Sequence, residues 1–402
     1  MAETRDLDIV VFGATGFTGE LTAAYLAEHA PADCRWALAG RNTAKLEAVR
    51  HRLAAIDPAC ADLELLHADA GDPASMVPVA ARTKVVITTV GPYLQFGDPL
   101  VAACAATGTD YVDLTGEPEF VDLAYLAHHE TAVASGARIV HACGFDSIPH
   151  DLGAYFTMKQ LPAGQKATVR GVVRSGAQFS GGTFHSALGA MSRQGAAKKV
   201  LRERRRKEGR PAGRKVHWEQ GMPGRDRELG YYLLPMPTID PLVVTRSASA
   251  LDLYGPDFTY SHFAGLKTLR YTVGAALGVG TLVAAANVGP VREALKKRIK
   301  PGEGPSEARR AKSWFTVDFI GEAGGKTVHT RVSGGDPGYT ETAKMLAESA
   351  LCLAFDDLPA AAGQLTTATA MGEALIERLT RAGITFRTLS EPPTRSPGPS
   401  SR

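Results

Sequence analysis

Three glycines at three-residue spacing, Gly13, Gly16 and Gly19 in VFGATGFTGE, stand between an apolar run ending at Phe12 and a segment whose apolar residues Phe17, Leu21, Tyr25 and Leu26 fall at helical spacing. A turn from strand into helix aims backbone N–H groups and the positive end of the helix dipole at one point, which suits a pyrophosphate. Glycine serves there wherever a side chain would block the ligand or the packing of helix on strand. The spacing is G-x-x-G-x-x-G and not G-x-G-x-x-G, so the triplet alone reads equally well as a plain βα turn. The second strand shifts the balance. It ends Ala39-Gly40-Arg41-Asn42, with Lys45 one turn on, where an NAD site carries Asp or Glu for the ribose 2′-hydroxyl. Arg41 offers a planar fork that grips a 2′-phosphate and stacks on adenine, so the expected cofactor is NADP. Its contacts are assigned to Gly13, Thr15, Gly16, Phe17, Thr18, Gly19, Arg41, Asn42 and Lys45.

Such residues need an open sheet to hold them. From Asp6 to about Asp146, apolar strand candidates alternate with helical stretches: Asp8 to Gly13, Trp36 to Gly40, Leu63 to His67, Lys84 to Val90, Asp110 to Leu114 and Ala137 to Ala142. The repeated order predicts an α/β domain over residues 1–150, a doubly wound parallel sheet with right-handed crossovers. Its strand ends supply further cofactor contacts. Asp69 follows the third strand, either against adenine or as a cap for the helix near Asp72. Val90, Gly91 and Pro92 follow the fourth, where bulk beside the nicotinamide ribose is not tolerated. Gly144, Phe145 and Asp146 follow the sixth.

Past about residue 165, strand-like runs follow without regular helices between them, at Ala167 to Arg174, Leu242 to Arg246, Phe258 to His262, Trp314 to Glu322 and Thr327 to Ser333. The last two are joined by AGGK, a hairpin-type turn. A sheet-rich α+β second domain is expected over 151–356, with helices at Tyr339 to Ala354 and near Thr369 to Ala382 closing the fold. The closure spans 357–388, and the Pro- and Ser-rich end, 389–402, is expected to be disordered.

Composition is that of a globular protein, 402 residues with 44% apolar against 22% charged. Cys34, Cys60, Cys104, Cys143 and Cys352 form no C-x-x-C pair, and MAETRDLD lacks a secretory signal, so neither a metal site nor export is expected and the cytoplasm is the expected compartment. Of the net charge of +3, residues 198–215 hold ten Lys and Arg against two Glu, about +8, which leaves about −5 elsewhere. That arm reads as a solvated helix or loop, or as a contact for anionic lipid or an acidic carrier protein. Nucleic acid is not expected, because no aromatic or recognition motif accompanies the charge. Residues 271–291 carry no charge and have basic residues on both sides; a buried or lid helix, a lipid-facing helix and a membrane span all stay open. Oligomeric state is also open, a homo-oligomer included.

The combination of VFGATGFTG, ALAGRN, TTVGPYLQFGDPLVAACAATGTDYVDLTGE, CGFDSIPHDLG, FSGGTFHSAL and GGDPGYTETAKM resembles the saccharopine dehydrogenase-like oxidoreductases, and within them the bacterial trans-acting enoyl reductase family. The resemblance covers most of the chain. It implies a Rossmann-type NADP domain, a sheet-rich second domain and hydride chemistry, and for the enoyl reductases the reduction of an unsaturated acyl chain carried by a polyketide synthase during lipid assembly. That reaction needs hydride at the β-carbon, a donor for the developing enolate and a proton for the α-carbon. The candidates are Tyr93, Asp146, Ser147, His150 and Tyr339. Each has a structural alternative: Ser147 as a helix cap, His150 as a structural histidine, and Asp113 and Glu117 as strand-end hydrogen-bonding groups. Ser180-Gly181-Gly182-Thr183 reads as a second anion-binding helix start or a plain turn, and Gly334 to Tyr339 as a structural turn. The expected protein is a cytoplasmic NADPH-dependent oxidoreductase acting on a C=C bond of an acyl substrate, peripheral at the inner face of the membrane. The alternatives are imine or carbonyl reduction of amino-acid type, and a lipid-associated NADP-binding protein without turnover.

Overall fold

The computed structural model describes residues 5–177, 189, 192–209, 211, 213–236, 238–298 and 304–393. Fifteen strands are described in chain order. They are β1 Leu7–Phe12, β2 Trp36–Gly40, β3 Glu64–His67, β4 Thr83–Thr88, β5 Asp110–Asp113, β6 Arg138–Val140, β7 Ala167–Ser175, β8 Lys215–Glu219, β9 Gly224–Arg225, β10 Tyr232–Pro235, β11 Asp257–Leu266, β12 Phe315–Ala323, β13 Lys326–Gly334, β14 Gly363–Leu365 and β15 Thr385–Leu389.

The first sheet runs β14-β6-β5-β4-β1-β2-β3, parallel throughout. It is the doubly wound, Rossmann-type arrangement. β1 (LDIVVF) and β2 (WALAG) are buried along their whole length, as an apolar run covered by helices on both faces must be. Phe12 pairs with Ala39 on one side and Thr88 on the other, so β1, β2 and β4 end level and their following loops meet at one mouth. Strand order reverses beside β1, which makes that mouth the switch point where open α/β sheets bind ligands.

The second sheet is mixed, ordered β15-β13-β12-β7-β11-β10-β9 with β8 paired to β11. The turn between β12 and β13 is the expected hairpin: Gly324 and Gly325 have φ of +56° and +78°, the left-handed pair that a two-residue turn of type I′ requires. Helix α7, Ile148–Met158, leaves the first sheet and lies on β12 and β13, so close that a Cβ on Gly153 would fall 2.3 Å from the Phe319 ring. Asp151 on α7 accepts from Ser247 Oγ at 2.5 Å, Thr367 Oγ1 at 2.7 Å and the Ala368 N–H at 2.8 Å, tying two later helices to the junction.

Three expectations are corrected. Leu242 to Arg246, expected as a strand, lies in a helix, Asp240–Ala250; the β-branched run LVVT suggested a strand, but Asp240-Pro241 starts a helix whose Val243 and Val244 are buried. The region beyond 165 is not free of regular helices, since Gln194–Glu208, Leu269–Ala286 and Gly289–Arg298 are helical. Boundaries at 356 and 388 cut across the packing, because helix Thr340–Phe355 lies on helix α1, Phe17–His29, with Tyr25 Oη donating to Glu348 Oε1 at 2.7 Å, and the segment 357–388 adds β14 to the first sheet and most of β15 to the second. The expected tail lies outside the described residues from 394 onward.

The basic arm is only partly a solvated face. Arg204 is buried between Asp122, at 3.1 Å, and the ring of Tyr125, while Arg193 pairs with Glu119 at 2.6 Å and Lys207 with Glu130 at 3.0 Å. Helix Gln194–Glu208 thereby docks on the acidic face of helix α6, Pro118–Ser135, and keeps its remaining cations outward.

Candidate functional site

At the mouth of the first sheet the three glycines do different work. Gly13 has φ +91°, and a Cβ there would fall 2.7 Å from Val90 Cγ2 and 2.8 Å from Thr89 Oγ1. Gly19 is tighter still, its Cβ position 2.2 Å from the Gly13 carbonyl oxygen. These two let helix α1 sit against the strand ends. Gly16 is open, its Cβ position meeting only Gly13 O at 3.4 Å, so its lack of a side chain leaves room for a ligand. The first intrahelical bond of α1 runs from Glu20 N–H to Gly16 O, and Gly16 brings no side-chain cap, which leaves the N–H groups of Phe17, Thr18 and Gly19 without intrahelical partners. An exposed Thr15 completes the rim. The cradle fits a diphosphate.

Arg41 lies exposed one residue beyond β2, beside exposed Asn42 and Lys45; Asn42 Oδ1 accepts from the Lys45 N–H at 3.0 Å and so caps helix α2, Thr43–Leu53. No carboxylate follows β2 directly, and Arg41 presents an exposed guanidinium there. Arg41→Ala is expected to raise the Kd for NADPH by about tenfold or more, the value of a charge-assisted pair, while NADH binding changes little; nicotinamide fluorescence titrations with both nucleotides read this directly. Asp69 turns back on its own loop, Oδ1 accepting from the Gly71 N–H at 3.0 Å, and the capping role falls to Asp72, which accepts from the Ala74 N–H at 3.1 Å.

The loop after β4 holds Val90, Gly91 and Pro92 at the same mouth, with Gly91 and Pro92 exposed and joined by a cis peptide bond. It is braced from below. Glu117 accepts the N–H groups of Tyr93 and Leu94 at 3.1 and 2.9 Å, and Asp113 accepts from Thr115 N–H, Ala142 N–H and Tyr111 Oη at 2.9 Å each and faces His141 Nδ1 at 2.7 Å. Both carboxylates are therefore strand-end hydrogen-bonding groups. Tyr93 belongs to this bracing. Its buried hydroxyl donates to Thr88 O and accepts from Leu114 N–H, each at 3.2 Å, and burial pushes its pKa well up.

The loop after β6 carries Gly144, Phe145, Asp146 and Ser147 across the mouth. Its backbone is strained, with φ +59° at Ala142 and +136° at Ser147, neither a glycine. Such angles persist only where surrounding structure holds them, and they gather at functional sites. Phe145 N–H donates to Thr342 Oγ1 at 3.1 Å, fixing the loop to helix Thr340–Phe355. Ser147 stands at the cap position of α7 without capping it, its buried Oγ partnerless among the described residues. Asp146 keeps part of its surface open and makes no hydrogen bond among the described residues; its Oδ2 lies 3.3 Å from the Cβ position of Gly116 in the loop after β5. Protein nevertheless surrounds it, and burial first, then the negative charge of Asp240, pushes its carboxyl up to about 6, with His150 opposing.

Behind Asp146 stands a buried trio. His150 Nδ1 lies 3.0 Å from Asp240 Oδ1, and His262 Nε2 3.6 Å from Asp240 Oδ2, close contacts not aligned as hydrogen bonds. All three are at most 2% exposed. Burial and the neighbouring His150 pull the His262 pKa down to about 3, whereas at Asp240 the cost of burial is outweighed by the two histidines and the Thr238 hydroxyl, which hold it below the usual carboxylate range. The ligand atoms of the trio lie within 4.8 Å of one another, a set that could hold a divalent ion, and Asp240 between the two rings also closes it as an acid–base cluster. Sequence reasoning found His150 but not Asp240 or His262, which lie 90 and 112 positions away on other elements; the one signal present, Asp240-Pro241, reads only as a helix start.

Tyr339 stands at the N-cap position of helix Thr340–Phe355. Its ring packs edge-on against Phe17 at 4.9 Å, with the Arg310 guanidinium 5.4 Å from that same ring and Arg310 Nε donating to Thr340 Oγ1 at 3.1 Å. It walls the phosphate turn. The second anion-site candidate, residues 180–183, lies outside the described residues.

Residues 9–140 match the saccharopine dehydrogenase NADP binding domain family. Over 419 residues the chain is 39% identical to a Mycobacterium tuberculosis protein provisionally named a trans-acting enoyl reductase, covering 96% of this chain and 98% of the relative. It is 37% identical over 424 residues to the trans-acting enoyl reductase of Mycobacterium bovis and 36% over 415 residues to that of Mycobacterium leprae, with the same coverage. Among solved structures, apo saccharopine dehydrogenase (L-Glu forming) from Saccharomyces cerevisiae has a similar fold, with a TM-score of 0.56 at 14% identity over 96% of this chain and all of that one.

Proposed function

This chain belongs to the trans-acting enoyl reductase family of saccharopine dehydrogenase-like, NADP-dependent oxidoreductases, and from that premise we propose that it reduces the C=C bond of an enoyl thioester, an unsaturated acyl chain on a carrier, with Asp146 as the proton donor. The observation that carries the residue assignment is Asp146 itself: a partly open carboxyl, raised to about 6 and without a hydrogen-bond partner among the described residues, on the strained loop at the sheet mouth.

Gly16 and the uncapped N–H groups of Phe17, Thr18 and Gly19 hold the diphosphate, Arg41 the 2′-phosphate, and Val90, Gly91 and Pro92 line the nicotinamide end. NADPH, when bound there, supplies the hydride for the substrate's β-carbon. As the thioester becomes an enolate, Asp146 gives its proton to the α-carbon and is left as a carboxylate, to be recharged from solvent through its open side. Asp240 keeps a negative charge close by, which favours Asp146 as the protonated acid before transfer; His150 and His262 hold Asp240 in place. Ser147 Oγ, buried and without a hydrogen-bond partner among the described residues, is the hydroxyl of this loop that could donate to the developing enolate oxygen.

The test is NADPH oxidation by the purified chain with 2-enoyl thioesters set against keto acid and amine mixtures. Oxidation with the enoyl thioesters is expected. Turnover only with the mixtures would replace this reading by imine or carbonyl reduction, and binding of NADPH without turnover of either would leave an interaction protein. We further propose work at an anionic lipid surface.

A further inference from the structure

Helix Leu269–Ala286 carries one charge, Arg270 at its start, and is otherwise uncharged, yet little of it is covered. Of its 18 residues only Thr272 and Ala286 are buried. Tyr271 is 69% and Leu277 67% exposed, Leu269, Val273 and Val279 are about half exposed, and Cβ positions on Gly274, Gly278 and Gly280 meet nothing. A helix with this composition is stable only inside a core or a lipid phase, and an uncovered apolar surface of this extent marks a docking site.

Charge says what covers it. Lys267 and Arg270 precede the apolar run, and Arg292, Lys296, Lys297 and Arg298 follow it, against Glu293 alone, so the segment 267–298 carries a net charge of about +5 around an uncharged centre. An apolar helix flanked by cations fits an anionic lipid surface, with the acyl region taking the side chains and the headgroups the charges.

Topology fixes how it lies. At about 1.5 Å per residue the helix is about 27 Å long, close to a bilayer's apolar thickness. Yet β11 ends at Leu266 before it and β12 begins at Phe315 after it, and both strands flank β7 in one sheet. Both ends therefore start from the same side. The return helix Gly289–Arg298 has ten residues and four cations, too short and too charged for a second crossing. Beyond it the chain comes back onto the cofactor turn, where the Cβ position of Gly304 falls 2.3 Å from the Phe17 ring.

We infer that Leu269–Ala286 is an in-plane anchor that docks the enzyme on an anionic phospholipid surface, entering one leaflet without crossing the bilayer. This goes beyond the catalytic reading and stands without it, because binding is measured without turnover. The full chain would be floated with phosphatidylcholine vesicles, with and without phosphatidylglycerol. Flotation is expected with the anionic vesicles, falling as salt rises, and Leu277→Glu, at an exposed position, is expected to reduce it by about tenfold or more while NADPH binding stays that of the wild type. Lys267→Ala with Arg270→Ala should weaken binding to anionic vesicles alone. Equal flotation with neutral vesicles, or flotation unaffected by Leu277→Glu, overturns the inference. So does a wild-type dimer that binds no vesicle and that Leu277→Glu makes monomeric, since a second copy would then be the cover.

Discussion

Replacing Asp146 by Asn is expected to lower kcat for enoyl thioester reduction by about 10²–10⁴-fold, the usual worth of a positioned general acid, with NADPH affinity preserved. Asn keeps the shape and removes the transferable proton. The pH profile gives the sharper readout. Burial and Asp240 raise the Asp146 carboxyl to about 6, so the protonated, competent form is present below that pH and is lost above it. Wild-type kcat should therefore fall towards tenfold per unit as pH rises past about 6, and the residual rate of Asp146→Asn should lack that limb. The titratable groups facing Asp146 are Asp240, on helix Asp240–Ala250, and His150, on α7, with His262 of β11 behind them. An unchanged kcat with an unchanged profile in Asp146→Asn would remove Asp146 from the chemistry and leave it at most a wall of the cofactor site.

The second large effect concerns the phosphate turn, where two glycines three residues apart should respond differently. Gly19→Ala puts a methyl 2.2 Å from the Gly13 carbonyl oxygen and 2.7 Å from Thr89 Oγ1. Neither can retreat easily, because Thr89 Oγ1 donates to Gly13 O at 3.1 Å and the Gly13 N–H is bonded to Ala39 O at 3.1 Å. Helix α1 must lift from the sheet, at a cost of about 1–3 kcal/mol or more, and the N–H groups that aim at the diphosphate move with it. Both Tm and NADPH affinity should drop. Gly16→Ala meets only Gly13 O at 3.4 Å, so its Tm should stay near wild type while NADPH affinity falls, the methyl occupying ligand space. Thermal melts and NADPH titrations of the two variants make the comparison. NADPH affinity unchanged in Gly16→Ala would mean that the turn binds no diphosphate.

The first sheet was legible because parallel strands buried on both faces leave unbroken apolar runs. β2 begins and ends where the sequence placed it, and each of the other five differs at one or both ends by one or two residues. Gly13, Gly16, Gly19 and Arg41 stood out as candidates because one turn and the end of one neighbouring strand bring them together at the mouth of the sheet. The acid–base half resisted for the opposite reason. Asp146 draws its character from Asp240, and Asp240 reaches the mouth only through the packing of helix Asp240–Ala250 on α7, which no local pattern encodes. Tyr93 looked reactive from its place after β4, but the side chain turns inward to hold the Thr88 and Leu114 backbone. The apolar run 271–291 announced its composition and length, while its exposure and the same-side return of its ends depend on where β11 and β12 sit in the second sheet.

Helix Thr340–Phe355 and β14 return to the first sheet after the second has been built, and β15 then leaves again to join β13. The chain thus passes between the two sheets three times, through α7, through the turn at Gly335 to Tyr339, and between β14 and β15. Neither sheet is a separable module. A fragment ending at 150 would bare the β6 edge and the face of α1 that meets Glu348, inviting aggregation in place of a free cofactor-binding domain. Any separation of the two sheets would have to flex three covalent passes together, a far stiffer connection than a single linker.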